Sequence, residues 1–108
     1  MEKKKIAISE QTCSLREVLE IIGGKWAMPI IYILSKGKLR FKEIERSIEG
    51  INTRMLVKEL KNMEANGIVT RAVFATVPPT VEYTLTPKGH KLIPSITALH
   101  NWGQEFAV

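Results

Sequence analysis

Apolar residues recur every three or four positions along much of this chain, which is the spacing of amphipathic helices. The pattern predicts four helices in the first two thirds of the chain, over residues 14–22, 26–35, about 41–48 and about 53–65. The second segment is apolar nearly all round, so we expect it to be the buried centre of the fold. Gly23-Gly24 should end the first helix, and Gly50 lies in the turn before the fourth.

The fourth predicted helix has two chemically different faces. When residues are placed about 100° apart around the axis, one stripe carries Leu56, Leu60 and Met63. The opposite stripe carries Arg54, Lys58 and Lys61. Asn52 or Thr53 should cap its first turn, and Gly67 lies just past its end. We therefore expect a helix anchored by one side and cationic on the other.

The period changes from helical to alternating after Gly67, which predicts a β-hairpin. Residues 68–75 and 81–85 are rich in β-branched and aromatic side chains, and a stiff tip over 77–80 joins them. Thr86-Pro87 should then begin a last helical region, which Pro94 either kinks or divides. This region carries a long apolar stripe of Leu92, Ile96, Leu99, Trp102 and Phe106.

This order of elements predicts an α+β fold, mostly helical, with a helix-turn-helix followed by a two-stranded wing. The length of 108 residues fits one domain over the whole chain, with residues 1–12 as an arm that is flexible at its start. A rod with one apolar and one cationic side suits insertion into a DNA groove. The sequence thus predicts a winged helix-turn-helix protein that binds DNA.

The distribution of charge supports a polyanionic partner. The formal net charge is +5, and nine of the sixteen Lys and Arg residues lie between Lys36 and Arg71. An ordinary solvated helix face is the alternative explanation, and Asn52 and Thr53 could serve only as caps. The predicted base-reading residues are Asn52, Thr53, Arg54 and Lys58. The predicted phosphate contacts are Lys25, Lys38, Arg40, Lys61 and Arg71.

Other classes of function have less support. The sequence has no apolar run of signal-peptide or membrane-spanning length, so we expect a cytoplasmic protein without membrane contact. Gly23-Gly24-Lys25 lacks the spacing of a phosphate-binding loop, and neither His90 nor His100 has neighbours that complete a metal site. We therefore expect no catalytic site, metal or cofactor. The remaining alternative is a winged-helix module that binds another protein instead of DNA.

Cys13 is the single cysteine, which excludes a disulfide within the chain. One interpretation is a small buried hydrophobic side chain without chemistry. The other is a reactive thiolate, because the positive end of a helix dipole near its predicted position favours the ionised form. The residues themselves leave both interpretations open.

Four segments together resemble the HxlR family of bacterial transcription regulators. They are CSLREVLEIIGGKWAMPIIYIL, RFKEIERSIEGINTRMLVKELKNMEANGIVTR, VPPTVEYTLTPKGHKL and LHNWG, and they cover nearly the whole chain. The Gly-Gly-Lys-Trp segment, the Arg-Met-Leu start of the fourth helix and the Val-Pro-Pro hairpin follow the family's order and spacing. The resemblance implies a homodimer that binds a palindromic operator in double-stranded DNA. It also implies dimerisation through the terminal helices, which here carry Leu15, Leu19, Ile96, Leu99, Trp102 and Phe106.

The resemblance bears on two further positions. Cys13 lies ten residues before Gly23, where several such regulators sense oxidants or electrophiles, so an oxidant or small-molecule effector is expected. Thr80 follows two prolines at a place where the family often has a basic residue. We therefore expect the wing to contribute less DNA affinity than is usual in the family.

Overall fold

The computed structural model describes residues 14–107. Helix α1 covers residues 14–22. The elements that follow are α2 (Ala27–Leu34), β1 (Leu39–Arg40), α3 (Phe41–Ser47), α4 (Thr53–Ala65), β2 (Val69–Phe74), β3 (Thr80–Leu85), α5 (Pro87–His90) and α6 (Ile93–Trp102). A π-helical turn, Gly103–Ala107, continues α6. The mostly helical α+β architecture predicted from the sequence is confirmed, whereas the predicted arm and Cys13 lie outside the described residues.

Helix α2 is the centre of the core, as its apolar sequence predicts. Its buried side chains are Ala27, Ile30, Ile31 and Leu34. It contacts α3, α6 and β3, so apolar side chains approach it from several directions. A helix that is apolar nearly all round gains most from this position, because its neighbours remove most of its surface from water.

The predicted two-stranded wing is confirmed as the β2–β3 hairpin, and β1 adds a third antiparallel strand in the order β1-β3-β2. Strand β1 pairs with β3, and Leu39 lies opposite Tyr83. Strands β2 and β3 pair from Val69 opposite Leu85 to Phe74 opposite Thr80. A strand of two residues is too short for alternation to reveal it, so only the pairing with β3 makes β1 recognisable.

Local signals set both ends of α4, and its predicted bounds are confirmed. The Asn52 side-chain oxygen accepts a hydrogen bond of 2.9 Å from the Met55 backbone N–H, so Asn52 is the N-cap. At the other end, the Ile68 N–H donates to the Met63 carbonyl oxygen at 2.8 Å. Gly67 has a φ of 72° there, a conformation that favours glycine. The chain therefore leaves the helix and enters β2 within three residues.

The last helical region is divided into α5 and α6. The break lies at residues 91–92, and Pro94 is in the first turn of α6. Proline is well tolerated there, because the first N–H groups of a helix have no partner within it. The Thr86 hydroxyl begins α5 by accepting a 3.0 Å hydrogen bond from the Gly89 N–H. Of the two outcomes expected for Pro94, the structure therefore has a division, and it precedes the proline.

Candidate nucleic-acid interface

Helix α4 has the two faces that its sequence predicts. Leu56, Leu60 and Met63 are buried in the core. The side chains exposed to solvent include all three predicted cationic residues, Arg54, Lys58 and Lys61. Packing holds the helix by one side, and the cationic side is left free for a partner.

The start of α4 is fixed by two side-chain hydrogen bonds. One is the N-cap bond that the Met55 backbone N–H donates to the Asn52 side-chain oxygen. The other runs from the Thr53 hydroxyl to the Glu45 carboxylate of α3 at 2.5 Å. Asn52 and Thr53 are both exposed, and their side chains lie at the end of α4 that follows the turn. Asn52 keeps its amide N–H groups available, because the cap uses only its oxygen.

Lys61 and Arg71 are brought together although they lie in different elements. Both line a groove of about 410 Å³ between α4 and the hairpin. Arg71 is in β2 opposite Tyr83, and its side chain is exposed. Val57, an exposed apolar residue of α4 that was not predicted from the sequence as a site residue, lines the same groove. An apolar side chain at such a place suits the methyl group of thymine.

A second groove, of about 690 Å³, separates α3 from the hairpin tip. Its lining includes the predicted phosphate-binding residue Arg40 and two further cations, Lys42 and Arg46. Neither was predicted from the sequence as a site residue. Their spacing of four residues is a signal that could have found them, because side chains at that spacing share one face of a helix.

Two other predicted phosphate-binding lysines lie outside these grooves. The Lys25 ammonium is 4.9 Å from the centre of the Trp26 ring. That ring reaches Gly50, since its edge lies 3.5 Å from where a Cβ on Gly50 would be. Lys25 is thereby connected to the turn before α4. Lys38 is mostly exposed and forms an ion pair with Glu82 of β3 at 3.6 Å.

The hairpin tip is held by uncharged groups. The Thr76 hydroxyl donates to the Pro78 carbonyl oxygen at 2.7 Å and lies 2.8 Å from the Thr80 hydroxyl. Val77 is fully exposed at the tip. Thr80 thus takes part in the structure of the tip, and residues 76–80 present apolar and hydroxyl groups to solvent.

The residues predicted to form a dimer interface differ in exposure. Most of them are exposed in the single chain, namely Leu15, Leu19, Leu99, Trp102 and Phe106. The Trp102 and Phe106 rings lie 5.5 Å apart between centroids and form one aromatic surface. Ile96 is the exception, because only 4% of it is exposed and it packs in the chain's own core. It has little surface to offer a second protomer.

Two further observations concern residues 14–107. Within this range, no group of three His, Cys, Asp or Glu side chains could hold a metal ion. None of the helices described there is long and apolar enough to cross a membrane.

Helices α3 and α4, the turn between them and the β2–β3 hairpin define the winged helix-turn-helix class of protein. Comparison with known proteins gives the family. The HxlR-like helix-turn-helix model matches residues 21–108, so the chain belongs to this family. It is a DNA-binding transcriptional regulator, and this function is favoured over a module that binds only protein.

Similar proteins agree with this assignment. An uncharacterised helix-turn-helix transcriptional regulator of Methanothermobacter thermautotrophicus is 44% identical over 97 residues, which are 90% of this chain and 74% of the relative. A MarR-family regulator structure from Porphyromonas gingivalis has a TM-score of 0.83 and 37% identity, with 87% and 92% of the two chains covered. The oxidised form of the redox regulator HypR has a TM-score of 0.82 and 42% identity, with 86% and 96% covered.

Proposed function

We propose that this regulator binds a palindromic operator as a homodimer, with α4 of each protomer in the major groove. The observation that carries this proposal is the arrangement of α4, which buries Leu56, Leu60 and Met63 and exposes its cationic stripe. Insertion into a groove removes the repulsion among exposed cations by placing them beside phosphates. Two recognition helices related by a two-fold axis would meet half-sites about 34 Å apart.

The two ends of α4 have different proposed roles. Arg54 and Lys58, together with Asn52 and Thr53, are in the first half of the helix, where side chains of a recognition helix commonly reach base edges. Lys61 is in the second half and shares a groove with Arg71. Cations on two sides of one groove suit a phosphate chain that passes between them. We therefore assign base contacts to the first half and backbone contacts to this pair.

Further phosphate contacts are proposed around the turn and α3. Lys25 lies beside the turn through Trp26, and Arg40 lies beside Lys42 and Arg46 in the groove below the hairpin tip. Lys38 is also proposed to contact phosphate, because its side chain is 68% exposed although its ammonium group pairs with the mostly buried Glu82. The uncharged tip would fit into the minor groove and make apolar contacts there. It would add little electrostatic affinity.

The proposed dimer interface consists of the exposed apolar residues at both ends of the described chain. Leu99, Trp102 and Phe106 are 55%, 59% and 64% exposed, respectively. Large apolar side chains that are this exposed in one chain gain free energy when a second chain removes them from water. Leu15 and Leu19 of α1 complete the proposed surface, whereas Ile96 supports α6 from the core.

We also propose that the regulator responds to oxidants or electrophiles through Cys13. Support comes from the position of Cys13 in the HxlR-like pattern and from the similarity to a protein described as a redox regulator. Because Cys13 lies outside the described residues, the proposal rests on sequence. We further infer a regulatory role without catalysis, exercised in the cytoplasm where the DNA lies, because the relatives are transcriptional regulators.

Selection of bound fragments from the source genome tests the proposed function. We expect the enriched fragments to share an inverted repeat with half-site centres about one helical turn apart. The association constant measured on that repeat should fall steeply as salt concentration rises, because phosphate contacts release counterions. Failure to enrich any repeat, or binding that is insensitive to salt, would contradict the proposal.

A further inference from the structure

The hydrogen bond between Thr53 and Glu45 limits what Thr53 can do at the interface. The Thr53 hydroxyl donates its proton to the Glu45 carboxylate oxygen, and the distance is 2.5 Å. Glu45 is on α3 and Thr53 is the first residue of α4, so the bond crosses the turn of the helix-turn-helix. The other oxygen of Glu45 lies 4.0 Å from the Lys42 ammonium. The carboxylate is thus held between two elements.

A hydroxyl has one proton, so a threonine that donates to Glu45 has no proton left for DNA. Its oxygen retains two lone pairs and can only accept. Phosphate oxygens and the major-groove O6 and N7 atoms of guanine are acceptors as well, so they are poor partners for it. The donors in the major groove are the exocyclic amino groups, N4 of cytosine and N6 of adenine. The Thr53 hydroxyl in this state can therefore form a base hydrogen bond only with adenine or cytosine.

We propose that Glu45 is a specificity-determining positioning residue, which sets Thr53 as an acceptor for the amino group of adenine or cytosine. This inference rests on the proposed insertion of α4 into the major groove. Thr53 is exposed at the end of α4 that follows the turn, the end where recognition helices commonly contact base edges. Glu45 acts through Thr53 and needs no contact with DNA itself.

A merely structural role for Glu45 makes a different prediction. If the bond only fixes the angle between α3 and α4, its loss should weaken binding to every sequence alike. If it sets the hydrogen-bonding state of Thr53, its loss should change the preference at one base pair of each half-site. Base preference is therefore the measurement that separates the two roles.

The experiment uses the intact chain and its selected operator, with the four base pairs tested in turn at each half-site position. At the position read by Thr53, wild type should bind operators with adenine or cytosine about 3- to 10-fold more tightly than the others. This is the change in affinity that one net hydrogen bond produces. Thr53→Val should abolish that preference, since valine has a similar shape and no hydroxyl. Thr53→Ser should retain it.

Substitutions of Glu45 then test its own part. Glu45→Ala frees the Thr53 proton, so guanine and thymine should become acceptable at that position. Glu45→Gln still offers an acceptor oxygen to Thr53 and should preserve the preference while raising affinity for all DNA, because it removes a negative charge. Glu49→Gln is the matched control for charge, since Glu49 is exposed in the turn and should raise affinity without altering preference.

An operator lacking the amino group itself provides a second measurement. Replacement of the adenine by purine, or of the cytosine by pyrimidin-2-one, should weaken operator binding by wild type about 3- to 10-fold. The same replacement should not change operator binding by Thr53→Val. An equal loss in both proteins, or an unchanged preference in a folded Glu45→Ala protein, would overturn the inference while the proposed function stands. Absence of salt-sensitive operator binding in wild type would overturn both.

Discussion

The Lys88 ammonium donates a hydrogen bond of 2.8 Å to the Asn66 carbonyl oxygen, which joins the start of α5 to the end of α4. The Thr86 hydroxyl adds a bond of 2.5 Å to the Gly67 carbonyl oxygen. Gly89 lies against the backbone of Ile68 in the same place. Helix α4 and the last helical region are thus held together at one turn.

Gly89→Ala should destabilise the protein. The added methyl group would overlap the Ile68 carbonyl oxygen, and backbone atoms there have little freedom to move. We expect a loss of about 1–3 kcal/mol in the free energy of unfolding, typical of overpacking. Gly103→Ala is the control, because no atom lies within 4 Å of its added methyl group. Urea unfolding at one protein concentration measures both, and equal stability of the two variants would contradict the packing at Gly89.

Two substitutions of Asn52 should distinguish its role as a helix cap from a role in DNA contact. Asn52→Ala removes the cap on Met55 and should cost about 1 kcal/mol of folding stability. Asn52→Asp keeps an acceptor for the cap but adds a negative charge beside the proposed groove, so it should preserve stability and weaken binding to all DNA. Urea unfolding and fluorescence anisotropy measure the two effects. If Asn52→Asp binds DNA as tightly as wild type, the side chain at this position does not lie close to DNA.

Arg54 and Lys61 should affect binding in different ways. Arg54→Ala should cost roughly 1–3 kcal/mol on the operator and relax the preference at one base position, as expected of a base contact. Lys61→Ala should weaken binding to specific and nonspecific DNA alike. It should also reduce the salt dependence of the association constant by about one released counterion per protomer. Both effects are read from binding isotherms at several salt concentrations. A folded Arg54→Ala protein with unaltered operator preference would refute its role.

Trp102→Glu should shift the protein towards monomers. The indole is 59% exposed in the single chain and forms one aromatic surface with Phe106, so a charge there would oppose burial against a second protomer. Val77→Glu makes a comparable change at the hairpin tip, far from the proposed interface in sequence, and should leave the mass unchanged. Sedimentation equilibrium measures both. A wild type that is monomeric at micromolar concentration would contradict the interface.

Cys13→Ser should abolish a response to oxidants. If Cys13 is the sensor, diamide or a quinone should change operator binding by wild type and leave the serine variant unaffected, because serine lacks a thiolate. Titration of the reagent against operator-bound protein measures this. Unchanged binding by wild type, or the same change in Cys13→Ser, would eliminate the sensor.

The difference between Ile96 and Trp102 illustrates what the sequence could predict. Both belong to one apolar stripe, and the stripe correctly predicts a helix there. Yet Ile96 is buried in the core and Trp102 is exposed. Periodicity identifies the apolar face of a helix without showing how far the neighbouring elements cover it. The coverage depends on contacts between distant parts of the chain.

The sequence by itself determined α4, from a cap at Asn52 or Thr53 to the turn at Gly67, because helical period and capping depend on residues a few positions apart. Only the tertiary structure decided that Thr53 donates to Glu45, that Lys61 and Arg71 share a groove, and that β1 joins the sheet. Each of these requires two segments to meet in space. Local preferences could not supply them, since the energy of such contacts comes from packing of the whole fold.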